Sequence, residues 1–173
     1  MRLQEGQKAI PFMVKDIFGH EVSLQKFENK KILLSFYRFA ACPLCNLRVD
    51  ELITLYPFFE KENIEVVAVF QSSIERIKEF VGKQNPPFPI VSDPKSKLFE
   101  QYGVENSTIK TIKALFKPKK FVDAYKKGFK GGKADGDLTR VPADFLIGED
   151  GILRKVYYGK YIGDHMPIHK LVD

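Results

Sequence analysis

The sequence predicts an α/β domain with a mixed central sheet, helices on both of its faces, an N-terminal hairpin and a helical, lysine-rich insertion. Three observations carry this. Between residues 31 and 102, short β-branched and aromatic runs alternate with segments of helical period, the pattern of βαβ units. Near the C-terminus, two more apolar runs flank Gly148-Glu149-Asp150-Gly151, a hairpin signal that adds an antiparallel edge. Size is the third. The chain has 173 residues, 44% of them apolar, and a domain of that length buries roughly 70% of its unfolded surface. Disorder, collagen and coiled coil are excluded, and no disulfide framework or structural metal is needed for folding.

Each element has a local cause. Residues 12–24 read as two short strands around Phe18-Gly19-His20. Lys31 to Tyr37 is a buried strand bounded by the polar Glu28-Asn29-Lys30. Residues 43–62 read as a helix, with Leu44, Leu47, Glu51/Leu52, Leu55 and Phe58/Phe59 recurring at spacings of three and four. Ile64 to Phe70 is the next buried strand. Ser72 or Ser73 caps a helix over 74–84, which Asn85-Pro86-Pro87 ends. Phe88 to Val91 is a short strand, and Pro94 opens a helix running to Tyr102. Ala143 to Ile147 and Ile152 to Tyr158 form the late hairpin, and a final helix follows Asp164. The whole chain, 1–173, is expected to form one domain, with 105–138 inserted into it.

The N-terminus Met1-Arg2-Leu3-Gln4-Glu5-Gly6 shows no apolar leader region. The strongest apolar run, Ile32 to Tyr37, is far too short to span a bilayer. The expectation is therefore a soluble, cytoplasmic protein whose thiols are kept reduced. On that basis the Asn106-Ser107-Thr108 sequon is read as chance.

Both cysteines fall in one motif, Cys42-Pro43-Leu44-Cys45, between a buried strand and the start of a helix. Pro43 suits the first helical turn, where a missing N–H costs nothing. Cys42 then sits near the N-cap, with Cys45 about one turn on and on the same face. The positive end of the helix is worth up to about 2 kcal/mol to an anion, enough to bring a thiol pKa from about 8.5 to about 7. Arg38 and Arg48 flank the motif and act in the same direction. Three other readings compete with a redox-active dithiol. A structural disulfide closing so small a loop yields only about 2 kcal/mol. A zinc site needs more ligands, and His20, His165 and His169 stand at no metal spacing. Two inert buried cysteines are the third. A C-x-x-C within a βαβ pattern favours the dithiol.

The segment F-Y-R-F-A-A-C-P-L-C-N-L-R, residues 36–48, resembles the R-G-x-W-C-P-x-C-N stretch of peroxiredoxin-like proteins of the alkyl hydroperoxide reductase/thiol-specific antioxidant (AhpC/TSA) branch of the thioredoxin superfamily. Residues 6–24, 136–154 and 163–167 are similar to its lead-in, its G-D-x-x-Q-L-P-G-x-F-V-I-D-x-D-G segment and its closing D-H-P. The resemblance implies a thioredoxin-like fold and thiol redox chemistry without metal, haem or flavin. It implies electrons from a thioredoxin- or glutathione-type donor, and a hydroperoxide or protein disulfide as substrate. The chain departs from the peroxiredoxin P-x-x-x-T-x-x-C pattern. In that register Cys45 takes the attacking position, Cys42 replaces the threonine and Arg38 the proline. Pro142 stands where typical peroxiredoxins carry an arginine, as the cis-proline does in thioredoxins. The resemblance thus implies a cis Val141–Pro142 bond that presents the Val141 backbone to an extended substrate.

The expected catalytic set is Cys42, Cys45, Arg38 and Pro142, with Val141, Phe39 and Pro43 contacting substrate. Phe39 is expected at the rim and Tyr37 in the core. Arg48 is expected on the helix surface, and Asp164 as a cap of the last helix rather than a catalytic group. His165 reaches the site only if the fold brings it there. Either cysteine can attack first, on a disulfide or on a peroxide oxygen, and both routes end in a Cys42–Cys45 disulfide. The oligomeric state is open, with a dimer as one option.

The net charge of +6 is not spread evenly. Residues 109–133 hold nine lysines and one acid, Asp123, for a local +8. Ile109, Ile112, Leu115/Phe116, Phe121/Val122, Tyr125 and Phe129 follow helical spacing, and Pro118 breaks the run. The expected form is two short amphipathic helices with cationic outer faces, a solvated cover on the core. An acidic partner or a lipid surface are the alternatives, and they define a second function class, a non-catalytic adaptor. No nucleic-acid-binding motif accompanies the charge.

Overall fold

A computed structural model describes residues 1–114 and 118–171. The N-terminal strands β1 (Met13–Lys15) and β2 (Glu21–Ser23) pair as an antiparallel hairpin. Asp16 closes its turn by accepting the N–H groups of Phe18 and His20. The central sheet contains β3 (Lys31–Phe36), β4 (Ile64–Phe70), β5 (Ile90–Ser92), β6 (Ala143–Ile147) and β7 (Leu153–Tyr158). Its spatial order is β5-β4-β3-β6-β7. The β5, β4 and β3 strands run parallel, whereas β6 and β7 add the antiparallel edge.

Side-chain alternation in the strands divides the core in two. Leu33, Val66, Ala68, Phe70 and Leu146 face α1 (Pro43–Lys61), which buries Cys45, Val49, Leu52 and Phe59 against them. Ile32, Leu34, Phe36, Val67, Val69, Phe145 and Ile147 face the other way, onto Phe99 and Tyr102. All of β4 is buried because both faces of the sheet are covered.

Several boundaries differ from expectation for local reasons. The 74–84 helix divides into α2 (Ile74–Glu79) and a 3-10 turn (Val81–Gln84), with the break at Phe80. Ser73 caps α2, while Ser72 turns away to bond Asp135. The strand expected at Phe88–Val91 starts at Ile90. The helix α3 (Lys97–Gln101) starts after Pro94 because Asp93 caps it, accepting the N–H groups of Lys97 and Leu98 at 3.0 and 2.8 Å. The C-terminal helix is only a 3-10 turn, Ile168–Lys170. Asp164 caps nothing there and instead accepts from the Tyr157 hydroxyl and the Lys160 N–H.

The lysine-rich segment forms two helices, α4 (Thr108–Ala114) and α5 (Pro118–Lys126). Leu115 and Phe116, expected in their apolar stripe, lie outside the described residues. The expected cationic outer faces are present, with Lys113, Lys119, Lys126 and Lys127 exposed, but the apolar stripe is not turned inward. Ile109, Ile112, Phe121, Val122 and Tyr125 are exposed, whereas Lys110 and Lys120 reach inward to the carbonyls of Gly159 and Gly163 at 2.9 and 2.8 Å.

Candidate active site

The parallel β3–β4 pair ends where the chain must turn back into α1, and the cysteine motif occupies that turn. Cys42 is the N-cap, with extended backbone (φ −68°, ψ 120°), and Pro43 takes the first helical position. Asn46 fixes the loop by donating to the carbonyls of Ala40 and Cys42 at 2.7 and 3.0 Å. The Ala40 N–H is held by Ser72 Oγ at 2.7 Å. Both cysteines are free thiols.

Their environments push them apart. A hydrogen bond from the Cys45 thiol favours the Cys42 thiolate most strongly. Burial opposes it, but the Arg38 guanidinium and the backbone amides of Cys45 and Leu44 outweigh that cost, and the Cys42 pKa falls to about 6. Arg38 Nη1 lies 3.8 Å from the Cys42 sulfur. Cys45 moves the other way: burial and the neighbouring Cys42 sulfur raise its pKa well above the usual thiol range. The two thiols are therefore biased in opposite directions, Cys42 towards the thiolate and Cys45 towards the protonated form.

A strap covers the motif. Residues 131–138 cross above it, fixed by Arg76 to the Lys133 carbonyl, Ser72 to Asp135, the Asp137 N–H to Gln71, and Arg38 to the Leu138 carbonyl at 2.5 Å. Gly132 has to be glycine, since a Cβ there would stand 2.7 Å from the Phe80 ring. Gly131, at φ +82°, presses on Pro43 in the same way. Under this strap Cys42 and Cys45 are each only 2% exposed. A cavity of about 390 Å³ opens beside the motif, lined by Ala41, Asn46, Phe80, Gln84, Phe129 and Gly131.

Of the other expected site residues, Arg38, Phe39 and Pro43 gather at the cysteines. Phe39 is buried rather than at the rim, because the Arg38 guanidinium stacks on its ring at 4.9 Å. The Val141–Pro142 bond is trans, which corrects the expected cis bond. The expected substrate edge is also occupied: Val141 is buried and its N–H donates to the Glu105 carbonyl at 3.1 Å. The trans chain leads from the Asn106–Arg140 bridge into β6, and the Pro142 carbonyl takes the Gly159 N–H.

Sequence reasoning missed a second polar cluster. Asp144, fully buried in β6, accepts from Ser35 Oγ and from the Met166 N–H at 2.6 Å, and faces His165 Nδ1 at 3.1 Å. Burial pushes its carboxyl up, but His165, Arg48 and the Ser35 hydroxyl together hold it below the usual value. Arg48 is buried, not on the helix surface, and donates to the Met166 carbonyl at 2.8 Å and to Glu51. His165 stacks near Tyr37, which is in the core as expected. The available signal was one acid inside the apolar A-D-F-L-I run. Among the described residues, no group of three His, Cys, Asp or Glu side chains could hold a metal ion.

Replacing Arg38 by methionine tests its hold on the thiolate. The midpoint of Cys42 alkylation against pH is expected to rise by about one unit, roughly fivefold slower reaction near pH 6. Arg76→Met, which loosens the strap but carries no charge to the sulfur, should change the limiting rate and leave the midpoint in place.

A mixed sheet flanked by helices, with a dithiol at the N-terminus of the helix following a parallel strand, defines a thioredoxin-like fold. The structure superposes on the peroxidoxin BcpB of Mycobacterium tuberculosis with a TM-score of 0.69 over 94% of this chain and 90% of that one, at 16% identity. It superposes on a thiol:disulfide interchange protein DsbE of Chlorobium tepidum with a TM-score of 0.64, over 97% and 91%, at 18% identity. At such identities the likeness is one of fold. The sequence model of the AhpC/TSA family matches residues 5–156, and the chain belongs to that family. Among curated relatives, a chloroplastic peroxiredoxin Q of Sedum lineare is 32% identical over 64% of this chain and 60% of its own length. A thiol-disulfide oxidoreductase ResA of Halalkalibacterium halodurans is 28% identical over 57% and 56%. The chain thus spans somewhat over half the length of these relatives. No helix among the described residues is long and apolar enough to cross a membrane.

Proposed function

We propose that the protein is a thiol-dependent oxidoreductase in which Cys42 attacks and Cys45 resolves. The observation that carries this is the asymmetry of the pair. Cys42 is the thiolate, held by Arg38 and the open end of α1, while Cys45 keeps its proton. This assignment departs from the peroxiredoxin register, which gives Cys45 the first attack. A thiol whose pKa lies near ambient pH is the best attacker in exchange.

Against a disulfide, the Cys42 thiolate forms a mixed disulfide and releases one substrate thiolate. Cys45 then loses its proton and attacks the Cys42 sulfur, releasing the second. Against a hydroperoxide, Cys42 takes the distal oxygen and becomes a sulfenic acid while the alcohol leaves. Cys45 then condenses with it and water is lost. Either route ends in one Cys42–Cys45 disulfide, and a thioredoxin- or glutathione-type donor supplies the two electrons that reopen it. Such reduction suits a reducing compartment such as the cytoplasm. The curated relatives include both peroxiredoxins and disulfide oxidoreductases by name, which supports both substrates as candidates.

The test is titration in redox buffers with the Cys42–Cys45 bridge followed by mass. The bridge is expected to form reversibly, with a potential above about −300 mV, since inert structural disulfides lie below that value. A protein that never bridges, or bridges only below that value, would be a non-catalytic adaptor instead. Comparing hydroperoxide consumption with disulfide reduction then separates the two substrates.

A further inference from the structure

The two helices of the lysine-rich segment leave their large apolar side chains in solvent, and nothing in the redox chemistry uses that. A helix covering a core normally turns its apolar side chains inward. Here Ile109, Ile112, Phe121, Val122 and Tyr125 are between 38% and 72% exposed, half of the large apolar side chains found exposed among the described residues. On these two helices only Ala114 and Ala124 are buried, and three lysines add polar anchors. Lys110 and Lys120 hold the loop at Gly159–Gly163, and Lys127 pairs with Asp50 of α1. Both helices are tied to that loop through a lysine, and their large apolar side chains are left to solvent. Phe121, Val122 and Tyr125 follow one face of α5 by their spacing. Further lysines surround them: Lys113, Lys119 and Lys126 lie on the same helices, and the Lys130 ammonium stands 5.9 Å from the Tyr125 ring centre.

We infer that this face docks on an anionic lipid surface, with the apolar side chains entering the interface and the lysines meeting acidic headgroups. Charge selects the occupant. Lys113, Lys119, Lys126 and Lys130 around these side chains, with Asp123 the one acid of the segment, repel a second copy of the same face and attract a polyanion. Shape and composition narrow it further. None of the five side chains lines the groove of about 1000 Å³ between α1, α5 and residues 163–169, so no preformed cleft there receives a partner's side chains on them. A bilayer interface needs none: it takes apolar side chains singly and lets lysine stems reach outward to phosphate. Among the described residues no helix spans a membrane, so the attachment is peripheral.

The test is flotation of the full chain with vesicles of phosphatidylcholine mixed with phosphatidylglycerol, against phosphatidylcholine alone and soluble polyglutamate. Binding is expected only to the mixed vesicles and should weaken with salt. A Lys113→Ala/Lys119→Ala/Lys126→Ala variant should bind roughly a hundredfold more weakly, about fivefold for each lysine. An Ile109→Ser/Val122→Ser/Tyr125→Ser variant should lose at least about tenfold. The chain has no tryptophan, so Tyr125→Trp gives a single reporter whose emission should shift to the blue on mixed vesicles only. Both multiple variants should keep the wild-type bridge potential and the wild-type Cys42 alkylation midpoint, which depend on the folded surroundings of the pair. Absence of binding, equal binding to neutral vesicles, or full binding by the serine variant would overturn the inference. Polyglutamate binding that is insensitive to the serine substitutions would assign the face to an acidic protein instead.

Discussion

Cys42→Ser is expected to abolish reduction of disulfides and hydroperoxides alike, a loss of roughly three orders of magnitude or more. Cys45→Ser should preserve the first attack and stop the second. With glutathione disulfide it should accumulate a stable mixed disulfide on Cys42, and with hydroperoxide a sulfenic acid, both visible by mass. The pH dependence follows from the same asymmetry. Alkylation of Cys42 should rise through a midpoint near about 6, while Cys45, pushed up by burial and by its neighbour, stays unreactive across that window. Both cysteines are only 2% exposed, so access to the sulfurs is expected to limit these rates. If Cys42→Ser still forms a sulfenic acid and Cys45→Ser does not, the peroxiredoxin register governs and the roles exchange.

Asp144→Ala is expected to cost about 3–5 kcal/mol of stability, the range for removing one member of a buried ion pair. The carboxylate satisfies Ser35, the Met166 N–H and His165 at once, and it offsets the charge of Arg48. Its removal leaves the Arg48 charge uncompensated and three hydrogen-bond partners without their acceptor. Asp144→Asn keeps an acceptor and should cost less. Because the folded-state pKa lies below the unfolded value of about 3.9, the ionised group adds stability above about pH 4. That contribution is lost as the pH falls through the folded value. Urea unfolding at neutral pH and at about pH 3 should therefore show the gap between wild type and Asp144→Asn narrowing in acid. A gap that is flat with pH, or an alanine variant within about 1 kcal/mol of wild type, would mean the cluster contributes no net stabilisation.

Much of the fold was legible because its signals are local. The β3 and β4 runs, the helical period of α1 and the Gly148–Gly151 turn each act over a few residues, and all lie where expected. The cysteine motif was legible for the same reason: Pro43 fixes the first turn of α1 whatever packs around it. The start of α3 was not, since the Asp93 side chain rather than Pro94 decides where helical N–H groups are capped. The Val141–Pro142 bond was misjudged because a proline by itself carries no information about the strand partner. Here Glu105 and Asn106, some 35 residues earlier, draw the chain into a trans, paired course.

By itself, the sequence determined the chemistry available: two thiols three residues apart at a helix start, an arginine four residues ahead, and a charge concentrated in one segment. Only the tertiary structure decided how these are used. Sequence spacing places Arg38 and Cys45 near Cys42, but their aim and burial shift the two thiols in opposite directions. The same holds for Arg48 and His165, whose meeting with Asp144 depends on β6 lying beside β3. It holds again for the lysine-rich helices, whose helical spacing defines an apolar face but not its direction. Period and composition are properties of a segment, whereas burial and electrostatic coupling belong to groups that meet only after the chain has folded.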